Sequence, residues 1–313
     1  MRKILLSTAL LALTSGMANA ETIGLTMATF DDDYQSVMRN KILDYAGTLQ
    51  GVDVQAEDAQ NDIGRQLTQV ENFIAAGVDA IMMTLVDTSS APAITAAAKA
   101  AGVPLVYLNL EPTNLADLPE DQIYVGGNDV ESGTLAAFEA CRLLREQGKT
   151  EARGYIMIGN LSHEAALRRT KDVHDVIAMD MCQFITISQE QEAKWSRSEG
   201  QNLMTNWLTT GETFDVVFAN NDEMAIGAIQ AMKAAGLDMD TVIVTGVDAT
   251  EEALTTMRAG DLDVTVFQNG GAIGITGLDS ALKLARGESV PRITYIPFEL
   301  VTPGTIAEFE GRN

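Results

Sequence analysis

Short apolar blocks alternate with longer amphipathic stretches along most of the chain. Blocks at 22–25, 52–54, 80–83 and 104–107 read as strands. Between them, 34–49, 63–76 and 91–101 carry helical patterning, the last closed by Gly102 with Pro104 beyond. A second series follows Ile123-Tyr124-Val125-Gly126-Gly127. Its strands are expected at 154–158, 184–188, 216–219, 242–246 and 264–267, and its helices at 132–146, 165–178, 198–209, 223–235 and 250–259. Alternation at this spacing builds βαβ units and parallel sheets. So many parallel strands exceed one small sheet, so the expected fold is α/β with two doubly wound lobes. No long Pro- or Ser-rich linker separates them, so the crossings must be short, which suits a hinge.

Several strands stop abruptly at polar residues. Val216-Val217-Phe218-Ala219 ends at Asn220-Asn221-Asp222, and Val242-Ile243-Val244 runs through Thr245-Gly246-Val247 to Asp248. In open α/β sheets such residues face the crevice where ligands bind. Asp31-Asp32-Asp33-Tyr34 occupies the same place after the first strand. Capping of the following helix is the plain reading for Asp31 and Asp33, whereas a crevice-facing carboxylate accepts hydrogen bonds from hydroxyls. Asn221 and Asp248 are divided evenly between helix capping and ligand contact. His163 and Arg169 flank a helix start, and the Arg169 fork could donate two hydrogen bonds to vicinal hydroxyls or a carboxylate. Trp195, in the polar run Glu192-Ala193-Lys194-Trp195-Ser196, is a candidate stacking wall.

No catalytic constellation emerges. The only histidines are His163 and His174, and there is no Cys-x-x-Cys, Gly-x-Ser-x-Gly or phosphate-loop motif. Gly127-Asn128-Asp129 and Gly270-Gly271 read as loop or helix-start glycines. Neither a cofactor nor a metal is expected, and the chain is not read as an enzyme.

Residues 1–20 have the form of an export signal: Arg2-Lys3, an apolar core from Ile4 to Leu13, then Ala18-Asn19-Ala20. The mature chain is therefore expected outside the cytoplasm, most simply in a bacterial periplasm. With 21 basic and 44 acidic residues the chain carries −23, and without Arg2 and Lys3 the balance is 19 against 44, or −25. That charge opposes nucleic acid and anionic lipid. Cys141 and Cys182 could form a disulfide in an oxidising compartment or remain two buried thiols.

Taken in order, Phe30-Asp31-Asp32-Asp33-Tyr34, Leu85-Val86-Asp87, Tyr124-Val125-Gly126, Ala219-Asn220-Asn221-Asp222-Glu223-Met224-Ala225 and Gly246-Val247-Asp248-Ala249 resemble the periplasmic sugar-binding proteins of ABC transporters. Residues 263–269 and 295–303 are most similar to the inositol-binding branch of the ribose, galactose/glucose and inositol group. The resemblance implies the type I periplasmic binding protein fold, two lobes closing on a ligand through a three-segment hinge. The first lobe would comprise 21–126 plus 269–297, the second 127–268 plus 298–313.

Matched motif by motif, the ligand-binding residues would be Asp32, Tyr34 as a stacking ring, Asn109, His163, Arg169, Trp195, Asn221, Asp248 and Gln268. Thr84, Ala165 and Leu110 replace polar groups common in relatives, which argues against plain glucose or ribose. A galactose/glucose-type calcium loop has no counterpart around 145–153. The expected ligand is myo-inositol or a derivative, with an aldose or a rhizopine-like amino-inositol as alternatives. An ABC permease would be the partner of a monomer, with a chemoreceptor as a further candidate. Arg169→Ala and Asp248→Ala are expected to weaken binding while folding survives.

Overall fold

The computed structural model describes residues 20–313, so the expected export signal, apart from Ala20, lies outside the described residues. Two parallel sheets organise the chain. The first runs in the order β11 (Ile293–Tyr295), β5 (Gln122–Gly126), β4 (Leu105–Leu108), β3 (Ala80–Met83), β1 (Glu21–Met27), β2 (Val52–Asp58). The second runs β7 (Ile185–Glu192), β6 (Ala152–Ile158), β8 (Val216–Ala219), β9 (Ile243–Thr245). Beyond β9, β10 (Thr265–Phe267) pairs antiparallel with β12 (Glu299–Val301), and parallel bridges Thr245–Val264 and Asp248–Phe267 join β10 to the same layer.

Strand position explains residue choice. Every residue of β3, β4, β5, β8 and β9 is buried, as helices covering both faces require, and these strands are correspondingly apolar. The edge strands β2 and β7 instead alternate in exposure.

Both sheets share one winding pattern. In each, the first strand lies between the second and third, so the connections leave β1 in opposite directions, and likewise β6. Such switch points open crevices at the carboxyl ends of the strands.

Nine helices occur among the described residues. In the first lobe they are α1 (Asp33–Thr48), α2 (Ile63–Ala76), α3 (Ala91–Ala101) and, late in the chain, α9 (Gly270–Ala285). The second lobe contains α4 (Asp129–Glu146), α5 (Glu164–Ile177), α6 (Arg197–Leu208), α7 (Asp222–Ala234) and α8 (Glu251–Arg258). The sequence pattern did not announce α9, because glycines weaken helical propensity. Tertiary packing requires them: a Cβ at Gly274 would come 2.7 Å from Ile42 Cγ1, and one at Gly277 would come 2.4 Å from Leu108 Cδ2. The small residues let α9 lie close against α1 and β4, and Ile273, Leu278 and Ala281 complete the first-lobe core.

The chain passes between the sheets three times, after β5, after β10 and between β11 and β12. Cys141 of α4 is bridged to Cys182 beyond α5, which decides between the two readings of the pair. No described helix is long and apolar enough to cross a membrane.

Candidate functional site

The segments leaving the carboxyl ends of the strands converge on one cavity of about 50 Å³ between the lobes, lined in part by Asp32, Asn109, Arg169, Trp195, Asn221 and Asp248. Tyr34, His163 and Gln268 lie on the same wall, so all nine residues singled out by sequence meet there. Asp32 and Tyr34 follow β1, Asn109 follows β4, His163 and Arg169 follow β6, and Trp195 follows β7. Asn221, Asp248 and Gln268 follow β8, β9 and β10. Outside the cavity, an open groove of about 650 Å³ shares Asp32, Gln35, His163 and Trp195 with it.

Capping is distributed differently from the sequence expectation. Asp32, rather than Asp31 or Asp33, caps α1 by accepting a 2.7 Å bond from the Gln35 amide. Asn221 does cap α7, accepting from the Met224 amide, and its Nδ2 holds the Trp195 carbonyl. Asp248 caps nothing, because Thr250 is the cap of α8. It instead holds φ +121°, a left-handed backbone that few non-glycine residues adopt.

Arg169 is held more tightly than its sequence position suggested. Its Nε and Nη2 donate to Asp129 Oδ1 at 3.2 and 3.0 Å, Nη1 donates to the Asn220 carbonyl, and Nη2 also reaches Gln268 Oε1. Four of its five N–H groups are thus spent inside the protein, and one remains. The expected two-pronged grip on a ligand is corrected to a single donor. Asp129, read from sequence only as part of a helix start, is the buried counter-ion that makes this arrangement.

His163 is also fully engaged. Nε2 donates to the Val86 carbonyl at 2.8 Å, so Nδ1 is the acceptor of the 2.9 Å bond from Trp195 Nε1. Burial pushes its pKa below the ordinary value, which favours this neutral form. The ring walls the cavity and has no free hydrogen bond to offer. Trp195 lies 6.2 Å from it, nearly parallel, and seats its indole on Gly159, where a Cβ would collide at 2.2 Å.

The carboxylates are the unsatisfied part of the site. Asp248 is 4% exposed, and no described protein group donates to its carboxylate. Burial raises its pKa well above the usual range, opposed in part by Arg169. Burial likewise raises Asp32 to about 6. The Tyr34 hydroxyl is buried without a partner. Asn109, at φ +63°, accepts a 2.6 Å bond from Gln268 Nε2.

Sequence reading missed Gln35, which lines the cavity one residue beyond Tyr34 in the first turn of α1. Its Oε1 accepts from Thr84, whose oxygen also accepts from the Ala28 amide. Thr84 therefore orients a lining residue from behind. Near the groove, Asp33, Glu223 and Glu252 approach one another around Arg197, which pairs with both glutamates.

Comparison with known proteins agrees with this architecture. The family model for the periplasmic binding protein domain matches residues 23–289. The chain is 53% identical over 313 residues, all of both chains, to a Rhizobium meliloti protein named "Putative rhizopine-binding protein". An ABC transporter solute binding protein from Bacillus halodurans, solved with bound myo-inositol, is similar at TM-score 0.88 and 38% identity, covering 96% of this chain and 100% of that one. The Caulobacter myo-inositol binding protein, bound to myo-inositol, is similar at TM-score 0.84 and 26% identity, covering 93% and 96%. Two like-wound lobes with polar strand ends facing one cavity, and a family match across most of the length, make the chain a member of the periplasmic binding protein domain family, a protein that binds a solute and does not transform it.

Proposed function

We propose that the protein captures a cyclitol built on the inositol ring and passes it unaltered to the permease of an ABC importer. The carrying observation is a cavity between the lobes whose wall combines carboxylates, amides, a single guanidinium N–H and aromatic rings. A ring bearing hydroxyls on its rim and C–H groups on its faces complements that wall. Each buried hydroxyl left unpaired would cost about 1–3 kcal/mol, so the match selects for ring stereochemistry. The inositol-bound relatives support the same class of ligand. Asp32, Asn109, Arg169, Asn221, Asp248 and Gln268 would hydrogen-bond the rim, with Tyr34 and Trp195 against the ring and His163 as wall. Export through residues 1–20 would put the protein in the periplasm, where its family works.

A second reading, an amino-substituted inositol, has its own support. Asp32 and Asp248 both face the cavity with no salt bridge to a described cation, while Arg169, the one cation among the described lining residues, is already paired with Asp129. An ammonium group on the ring would supply the missing charge, in keeping with the name of the Rhizobium meliloti relative.

Calorimetric titration with myo-inositol, a scyllo-inosamine, ribose, glucose and galactose tests both. Cyclitols binding at least about tenfold more tightly than every aldose is the expected result. Preference for an aldose would refute the cyclitol reading. Asp248→Asn should reduce inosamine affinity more than myo-inositol affinity; equal losses would remove the ammonium.

A further inference from the structure

Asp248 projects an unpaired carboxylate into the cavity from a backbone that few residues tolerate, so something must hold it there. Its amide donates to the Val266 carbonyl at 2.8 Å. Its carbonyl accepts from Asn313 Nδ2 at 2.8 Å, and the same amide nitrogen donates to the Gln268 carbonyl, also at 2.8 Å. Asn313 Oδ1 then accepts from the Gly270 amide, the first residue of α9, at 3.1 Å. One half-buried side chain therefore joins the strained strand end of the second lobe, the crossing segment after β10 and the first turn of a first-lobe helix.

The neighbouring residue fixes the placement. Arg312 lays its guanidinium 4.2 Å over the Phe267 ring and 4.9 Å over Phe309, and pairs with Glu299 of β12. Phe267 directly precedes Gln268, so the aromatic seat brings Asn313 to the segment it bonds.

We propose that Asn313 is a positioning residue for ligand capture: it does not line the ligand cavity, and it sets the aim of Asp248 and the seating of Gln268 from behind. An amide suits the place because two carbonyls need a donor and one N–H needs an acceptor. A carboxylate would turn two donations into repulsions, and alanine would release all three.

The inference rests on the cyclitol reading for its binding test, so a readout independent of ligand accompanies it. Asn313→Ala and Asn313→Asp would be titrated with myo-inositol, with melting temperature recorded for each. Hydrogen exchange of the amides at 248–250 and 268–271 would be measured without ligand. The expected result is about a tenfold rise in Kd for both variants, a melting temperature within a few degrees of the parent and faster exchange in those two segments. Unchanged exchange there would overturn the proposal, as would an unchanged Kd, including the case of a lowered melting temperature with unchanged Kd. If the parent protein itself binds no cyclitol, the functional reading falls, and the exchange measurement alone decides the role of Asn313.

Discussion

His163 of the second lobe donates its Nε2 proton to the Val86 carbonyl of the first at 2.8 Å, while its Nδ1 accepts from Trp195 within its own lobe. One imidazole therefore spans the cleft. Beside it, Thr88 Oγ1 donates to the Ser162 carbonyl, and Arg168 forks onto Glu111 at 2.6 and 3.0 Å. These contacts exist only while the lobes meet, so they favour the ligand-enclosing arrangement without touching a ligand.

His163→Ala should therefore weaken ligand affinity by about tenfold. It removes an interlobe hydrogen bond and strands the Trp195 N–H, at a cost of about 1–3 kcal/mol. Titration calorimetry checks this, and affinity within twofold of the parent would contradict it.

The same bond has a pH signature. The pKa of His163 is lowered in the closed form, mainly by burial, so that form binds fewer protons than an open one with an ordinary histidine. By linkage, closure gains stability as pH rises toward about 6.5 and loses it as pH falls below that value. Protonation of Nδ1 would set two donors facing each other. Scattering profiles of liganded protein at pH 7.5 and 5.5 should show a larger open fraction at 5.5, and His163→Ala should flatten the change.

The carboxylates predict a different slope. Burial raises Asp32 to about 6, so in the free protein it takes up a proton as pH falls through that value. An ammonium ligand requires the ionised form, whereas neutral myo-inositol lacks this charge term. The inosamine to myo-inositol affinity ratio should grow between pH 5 and 7; a constant ratio would argue against the amine subsite.

Arg169→Ala has a broader consequence than the sequence implied. Asp129 is buried beneath Arg169, and removing the guanidinium leaves an unpaired buried carboxylate, at about 3–5 kcal/mol. Urea unfolding should reveal loss of stability together with loss of binding. Asp248→Asn should leave stability intact or raise it, because the cost of burying an acidic group with no donor to its carboxyl is removed.

Reduction of Cys141–Cys182 opens a loop of sequence separation 41. Chain entropy assigns such a bridge about 4 kcal/mol. The melting temperature should fall by about 10 °C in reductant, read by calorimetry. A shift under 3 °C would mean that α4 and α5 hold this region without the bridge.

The alternation of apolar blocks and amphipathic stretches determined the α/β class and most of the elements, because buried parallel strands must be apolar and their helices must show one apolar face. It also marked the strand ends, since polar residues interrupting an apolar run have few places to go except a crevice. Local pattern could not reveal α9, whose glycines answer to Ile42 and Leu108 far away in sequence. Nor could it show that Asp129 spends most of Arg169, that Val86 and Trp195 consume both nitrogens of His163, or that Asn313 stands behind Asp248. Those pairings span 32 to 77 residues of chain. Residue type states only what a side chain can donate or accept; the tertiary structure decides which partners have already claimed it and which groups remain for a ligand.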